Sequence, residues 1–199
     1  MQPLFAHQPV LLGVLVANLF IWRVMEAGVD IRTFKRLRAG ARRQDKGSHA
    51  VLIGMLTLGI FFGLLVALKV PATAITSARI FLFWLGILLI NAGIVFRFYA
   101  IHVLGTSFTT TVAVAPEQTV VEAGPYRLIR HPSYTGVLII LFGLGLTCTN
   151  WLSLVVLMGC ALPGLSYRIH VEEHALQEHL GQQYQEYMRR TKRLIPFVV

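Results

Sequence analysis

The sequence predicts an all-α integral membrane protein with about five transmembrane helices, and three observations carry that expectation. Hydrophobic residues make up 55% of the chain and charged residues 14%, where an ordinary soluble domain carries roughly 25% charged residues. The mean hydropathy is +0.65. Apolar runs recur at about the 20-residue length that a helix needs to cross a hydrocarbon core about 30 Å thick. Basic residues are gathered on one side of those runs.

The spans fall at roughly 8–23, 50–70, 79–101, 134–149 and 151–167 by that length criterion. In the first, the basic residues follow the apolar run instead of preceding it, and no small-residue cleavage site stands out. That is the pattern of a retained span and not of a cleaved signal peptide. The second carries "GIFFG", Gly59 to Gly63, a small-xxx-small face suited to internal helix packing. The fourth and fifth are short and meet at "TCTNW", which predicts a tight helical hairpin. Trp22, Trp84 and Trp151 are expected as interface anchors or lipid-facing residues. Residues 1–78 then form an N-terminal pair of spans, and residues 79–199 hold the remaining spans and most of the polar chemistry.

Orientation follows from the lysines and arginines, which are enriched in cytoplasmic loops. The first loop holds Arg23, Arg32, Lys35, Arg36, Arg38, Arg42, Arg43 and Lys46, whereas the next turn holds only Lys69 and Arg79. The N-terminus is therefore expected outside, and the loop 102–133 and the tail 168–199 inside. The absence of a targeting peptide and the compact length suit a prokaryotic plasma membrane, with an endoplasmic-reticulum enzyme as the alternative. The net charge of +9 is accounted for by topology and by contact with anionic headgroups, with Phe34 and Leu37 suggesting a short interfacial helix. No aromatics are interleaved to stack bases, so no nucleic acid partner is expected.

Several chemistries are disfavoured. The chain has no G-x-G-x-x-G after a strand and no G-x-x-x-x-G-K-[ST]. It has no H-E-x-x-H or paired C-x-x-C, so no metal is expected. Cys148 and Cys160 read as small packing residues. Any cofactor must be bound by helices and loops.

The polar material falls into two blocks. The first contains "TTTVAVAPEQTVV", β-branched and interrupted by Pro116, an extended hairpin-like loop. It leads into "GPYRLIRHPSYTG", where two arginines, a histidine, two prolines and two tyrosines crowd against the fourth span. The second runs from "RIHVEEHAL" to "LGQQYQEYMRRTKRLIPF". Pro163 and Gly164 would kink or loosen the fifth helix, after which Arg168, Glu172, Leu176 and His179 share a face. By spacing alone Arg168 and Glu172 are as well read as an ordinary i,i+4 pair at a span's end.

Those motifs, in that order and spacing, resemble the isoprenylcysteine carboxyl methyltransferase family and its relatives, the membrane phospholipid N-methyltransferases. The likeness covers roughly residues 100–199 and rests on R-H-P-x-Y-x-G, the paired glutamates and the G-x-x-Y-x-x-Y…P ending. It implies transfer of a methyl group from S-adenosylmethionine to a lipophilic acceptor that enters from the bilayer, with a cytoplasmic cofactor pocket formed by the loop before the fourth helix and the C-terminal helix. The positions that match as cofactor-binding are Gln118, Thr119, Val120, Val121, Tyr126, His131, Pro132, Ser133, Tyr134 and Glu172. Gln118 departs from the histidine often found there in the prenylcysteine enzymes. Arg168 matches the acceptor-binding arginine, and Arg168, Glu172 and Glu173 are the catalytic candidates.

The residue types agree with that chemistry. A cationic sulfonium with an adenine and a zwitterionic end calls for aromatic faces, hydrogen-bonding groups and a carboxylate. An arginine fork holds a carboxylate acceptor, whereas an amine acceptor would need a base such as Glu173 or His170. Three readings stay open: carboxyl O-methylation of an acceptor such as a prenylated cysteine, phospholipid or amine N-methylation, and a non-catalytic binding or scaffold protein. His131 before Pro132 also reads as a helix cap. Tyr184 and Tyr187 read as packing residues, and His49, His102, His174 and His179 as surface or packing groups.

Overall fold

The computed structural model describes residues 2–38, 42–43, 45–110, 113–114 and 119–195. The described residues form six α-helices: α1 (Pro9–Arg38), α2 (Ser48–Lys69), α3 (Arg79–Leu104), α4 (Pro132–Thr147), α5 (Trp151–Leu180) and α6 (Gln182–Arg190). The protein is an all-α integral membrane protein. Four helices are long and apolar enough to cross a membrane, and α4 is a shorter apolar helix. At about 1.5 Å per residue, its 16 residues reach about 24 Å, short of a full hydrocarbon core.

Two elements run further than expected. The short interfacial helix anticipated around Phe34 is the end of α1, which spans 30 residues without interruption. Likewise α5 continues through Pro163 to Leu180, so one rod carries both the last apolar span and the "RIHVEEHAL" motif. The extended segment before α4 does not fold back on itself where it is described. Its Ala113–Val114 pairs antiparallel with Arg42–Arg43 of the first loop, which brings that basic loop alongside the first polar block.

Two seams hold the bundle together. Along α3 and α4, Gly86 and Gly93 face Gly143 and Gly136, and each pair is spaced seven residues apart, two helical turns. A Cβ on Gly86 would lie 2.5 Å from the Gly143 carbonyl oxygen, and one on Gly136 would lie 3.0 Å from Cα of Arg97. Only glycine allows the backbones to lie this close. The second seam joins α2 to α5. Gly59 and Gly63 receive Cys160 and Leu157, and the Ser153 hydroxyl donates to the Gly63 carbonyl. The "GIFFG" face is thus used inside the chain, as its spacing suggested.

The α4–α5 turn is the tight hairpin the sequence predicted. Asn150 caps α5 by accepting from the Ser153 amide at 3.0 Å. It also receives the Thr73 hydroxyl at 3.0 Å and donates to the Val70 carbonyl, which ties the hairpin to the end of α2. A charged clasp crosses the bundle nearer the site. Arg97 of α3 pairs with Glu26 of α1 and donates to the Ser133 carbonyl at 3.1 Å. Ionisable groups inside a bundle are kept where each has a partner, and this pair fixes the start of α4 against α3 and α1.

Candidate active site

The glycine seam places the first turn of α4 against α3, and the unbroken α5 carries its polar end past it. Between them lies a pocket, closed by α6 and by the segments after α3 and before α4. Thr119, Val120, Val121, Tyr126, His131, Ser133, Tyr134, Arg168 and Glu172 all line it. Nine positions singled out from sequence therefore converge on one cavity. Gln118 lies outside the described residues. Pro132 is the buried first residue of α4, where its missing N–H costs nothing and its fixed φ suits the helix. Glu173 is not on the pocket wall.

Tyr126 is delivered by a single 3-10 turn, Gly124–Arg127, entered through a positive φ at Gly124. A β-carbon at Gly124 would be strained and would press on Tyr99 and Val103. His131 sits at the N-cap position of α4 but makes no side-chain cap. Its ring instead stacks on Tyr134, centroids 5.5 Å apart at 19°, and its Nε2 lies 3.3 Å from Glu173 Oε1.

The two adjacent glutamates point to different surroundings. Glu172 accepts the Tyr134 hydroxyl at 2.6 Å, stands 4.0 Å from Arg168 and keeps 27% of its side chain exposed. Glu173 is sealed and bound by Arg130 at 2.8 Å, His131, and Arg193 at 3.1 Å. This cluster also anchors the chain after α6. The Arg130 and His131 amides donate to the carbonyls of Lys192 and Arg193, and Thr135 donates to the Leu194 carbonyl at 2.6 Å. Glu173 thus holds His131 and the tail in place beneath the pocket.

Arg168 is buried and engaged on both edges. Its Nη1 pairs with Asp45 and donates to the Ser48 hydroxyl at 2.8 Å. On the other edge Nε donates to the Tyr134 hydroxyl at 3.1 Å and Nη2 to the Thr110 carbonyl at 2.9 Å. A second, more apolar cleft opens beside this point between α1, α2 and the start of α4. Leu52, Ile53, Leu56, Ile60 and Val137 form its apolar side, while Glu26, Asp30 and Arg97 stand at its polar end. Phe108, Thr109 and Tyr134 border both cavities.

The family comparison follows the same outline. The model of the isoprenylcysteine carboxyl methyltransferase family matches residues 84–178, from α3 to the polar end of α5. The match to that family takes in just under half of the chain. The chain is 35% identical over 115 residues to protein-S-isoprenylcysteine O-methyltransferase B of Arabidopsis thaliana, covering 57% of this chain and 58% of that protein. It is 37% identical over 116 residues to the protein-S-isoprenylcysteine O-methyltransferase of Saccharomyces cerevisiae, covering 57% of this chain and 48% of that protein. The chain thus spans about half to three fifths of the length of these curated relatives. A Bacillus subtilis protein named "Uncharacterized protein YpbQ" matches more of it, at 26% identity over 83% of this chain and 96% of its own length.

Some pocket residues had no part in the site read from sequence. Tyr184 and Tyr187, anticipated as packing residues, are buried but also line the pocket, and the Tyr187 hydroxyl donates to the Tyr126 carbonyl at 2.8 Å. Burial pushes the phenols of Tyr126, Tyr184 and Tyr187 well above their ordinary range, and nearby carboxylates add to the effect at Tyr126 and Tyr184. All three therefore stay neutral donors with intact ring faces. The i,i+3 spacing of Tyr184 and Tyr187 was the signal for a shared face. Arg130 stood inside the R-H-P motif. Asp45 and Ser48 gave no such signal.

Proposed function

We propose that this protein is an S-adenosylmethionine-dependent methyltransferase that esterifies the carboxyl group of a lipophilic acceptor such as an isoprenylcysteine. The observation that carries the proposal is the half-open Glu172 carboxylate set among Tyr126, Tyr134, Tyr184 and Tyr187. A carboxylate with several aromatic faces around it is a site for a cation with an attached flat ring, and the donor set fits the cofactor in kind. When bound, S-adenosylmethionine supplies an electrophilic methyl group on a sulfonium.

The chain's own residues then have separable tasks. Glu172 holds positive charge, with its orientation set by the Tyr134 hydroxyl. His131, fixed by Glu173, gives Tyr134 a stacking partner. Thr119 to Val121 present backbone N–H and C=O groups, which recognise the polar edges of a ligand. Arg168 receives the acceptor carboxylate where the pocket meets the apolar cleft, and the cleft between α1 and α2 takes the lipid chain. Holding the nucleophile in line at close range supplies several kcal/mol of the barrier. The first basic loop, through Asp45, stands beside Arg168, so the positive-inside rule assigns the whole site to the cytoplasmic face.

The placement of possible bases favours oxygen over nitrogen as the acceptor atom. A carboxylate needs no deprotonation before attack, whereas an ammonium does. Glu173 and His170, the groups suited to that task by sequence, do not line the pocket. The test is the product formed from methyl-labelled S-adenosylmethionine and an N-acetyl-S-prenylcysteine. A base-labile ester that releases labelled methanol is expected. Base-stable label on an amine-bearing lipid, with none on the prenylcysteine, would move the assignment to N-methylation.

A further inference from the structure

Asp45 is the single acid between Asp30 and Glu117 in the sequence, and it ends up buried against Arg168, 123 residues away. Its carboxylate is held rigidly at the start of α2. Oδ1 accepts the Ser48 hydroxyl at 3.0 Å, Oδ2 accepts the His49 amide at 3.2 Å, and its own carbonyl accepts the Ser48 amide at 2.8 Å. Asp45 is therefore a fixed point, and the guanidinium is fastened to it.

The consequence lies in which edge of the guanidinium remains for a ligand. A guanidinium grips a carboxylate side-on through Nε and Nη2, or end-on through Nη1 and Nη2. Asp45 and Ser48 occupy Nη1 and block the end-on fork. The side-on fork, Nε and Nη2, donates to two neutral acceptors, the Tyr134 hydroxyl and the Thr110 carbonyl, with the Glu172 carboxylate farther off, 4.0 Å from Nε. An incoming carboxylate outbids neutral oxygens, because charge-assisted bonds are roughly twice as strong. It does not outbid a second, anchored carboxylate.

We infer that Asp45 is a positioning residue for the methyl acceptor: with Ser48 it fixes the inner edge of Arg168, so that only the side-on fork faces the junction of the two cavities. The inference rests on the function proposed above. It gives the end of the first loop and the start of α2, which precede the family match, a part in acceptor selection.

The test compares the full-length wild type, Asp45→Asn, Arg168→Gln and the double variant in detergent. Asparagine keeps an oxygen that can accept from the start of α2 but loses the charge. Asp45→Asn is expected to raise the KM for an N-acetyl-S-prenylcysteine at least tenfold while the S-adenosylmethionine Kd stays within twofold. In the Arg168→Gln background the same change should add no more than twofold, because its effect passes through that side chain. An unchanged KM, an equal effect in both backgrounds, or parallel loss of Kd, KM and Tm would overturn the inference. Should Asp45→Asn fail to fold, Ser48→Ala removes one of the two inner contacts and is expected to raise KM two- to fivefold, and no change would overturn the inference. If the wild type neither binds S-adenosylmethionine nor methylates the probe, the proposed function has failed and the inference falls with it. If the wild type turns over and the variants match it, the inference alone has failed.

Discussion

On the pocket side of α5, Glu172 keeps 27% of its side chain exposed and has a single short contact, from Tyr134. On the tail side, Glu173 is 4% exposed and surrounded by Arg130, His131 and Arg193. The two acids are adjacent in sequence, yet one is left available to a ligand and the other is consumed in building the wall. A helix turns about 100° per residue, so one step is enough to move a side chain between faces. The difference teaches that a motif read as one catalytic unit divides into a pocket-facing part and a scaffold part.

The largest expected effect is on the scaffold side. Glu173→Ala removes the counter-charge of Arg130 and leaves that buried guanidinium with neutral partners, the Met188 and Thr191 carbonyls, a loss of about 3–5 kcal/mol by analogy with broken buried pairs. A clear fall in apparent Tm and loosening of the chain after α6, read by limited proteolysis, should follow. Retention of the wild-type Tm would break the comparison. The smallest effect is on the same carboxylate from outside. Arg193 is half-exposed, so Arg193→Ala should cost only about 0.2–1 kcal/mol, the range for exposed ion pairs. A loss as large as that of Glu173→Ala would mean that the tail contact, and not the Arg130 contact, carries the anchor.

Much of this was legible in the sequence because the bilayer imposes a simple length rule. Apolar runs near 20 residues mark the helices whatever the partner, and the hairpin and the "GIFFG" packing face followed from local composition. The unbroken run of α1 and α5 into their polar ends did not, since a helix leaving the membrane loses the apolar signal while keeping its backbone bonds. The glycines of the α3–α4 seam were present at seven-residue spacing, but which helix they faced is a tertiary fact. Nine candidate site positions could be found because they cluster in the two polar blocks. Asp45 could not, because its meaning depends on Arg168 lying beside it after folding. The pairing of Ala113–Val114 with Arg42–Arg43 escaped for the same reason.

The most direct test is calorimetric titration of S-adenosylmethionine into the purified protein in detergent, beside Glu172→Gln. The account expects saturable binding by the wild type, weakened at least tenfold in the variant, about 1.4 kcal/mol, with an unchanged Tm. No binding by a folded wild type, or equal binding by Glu172→Gln, would contradict it.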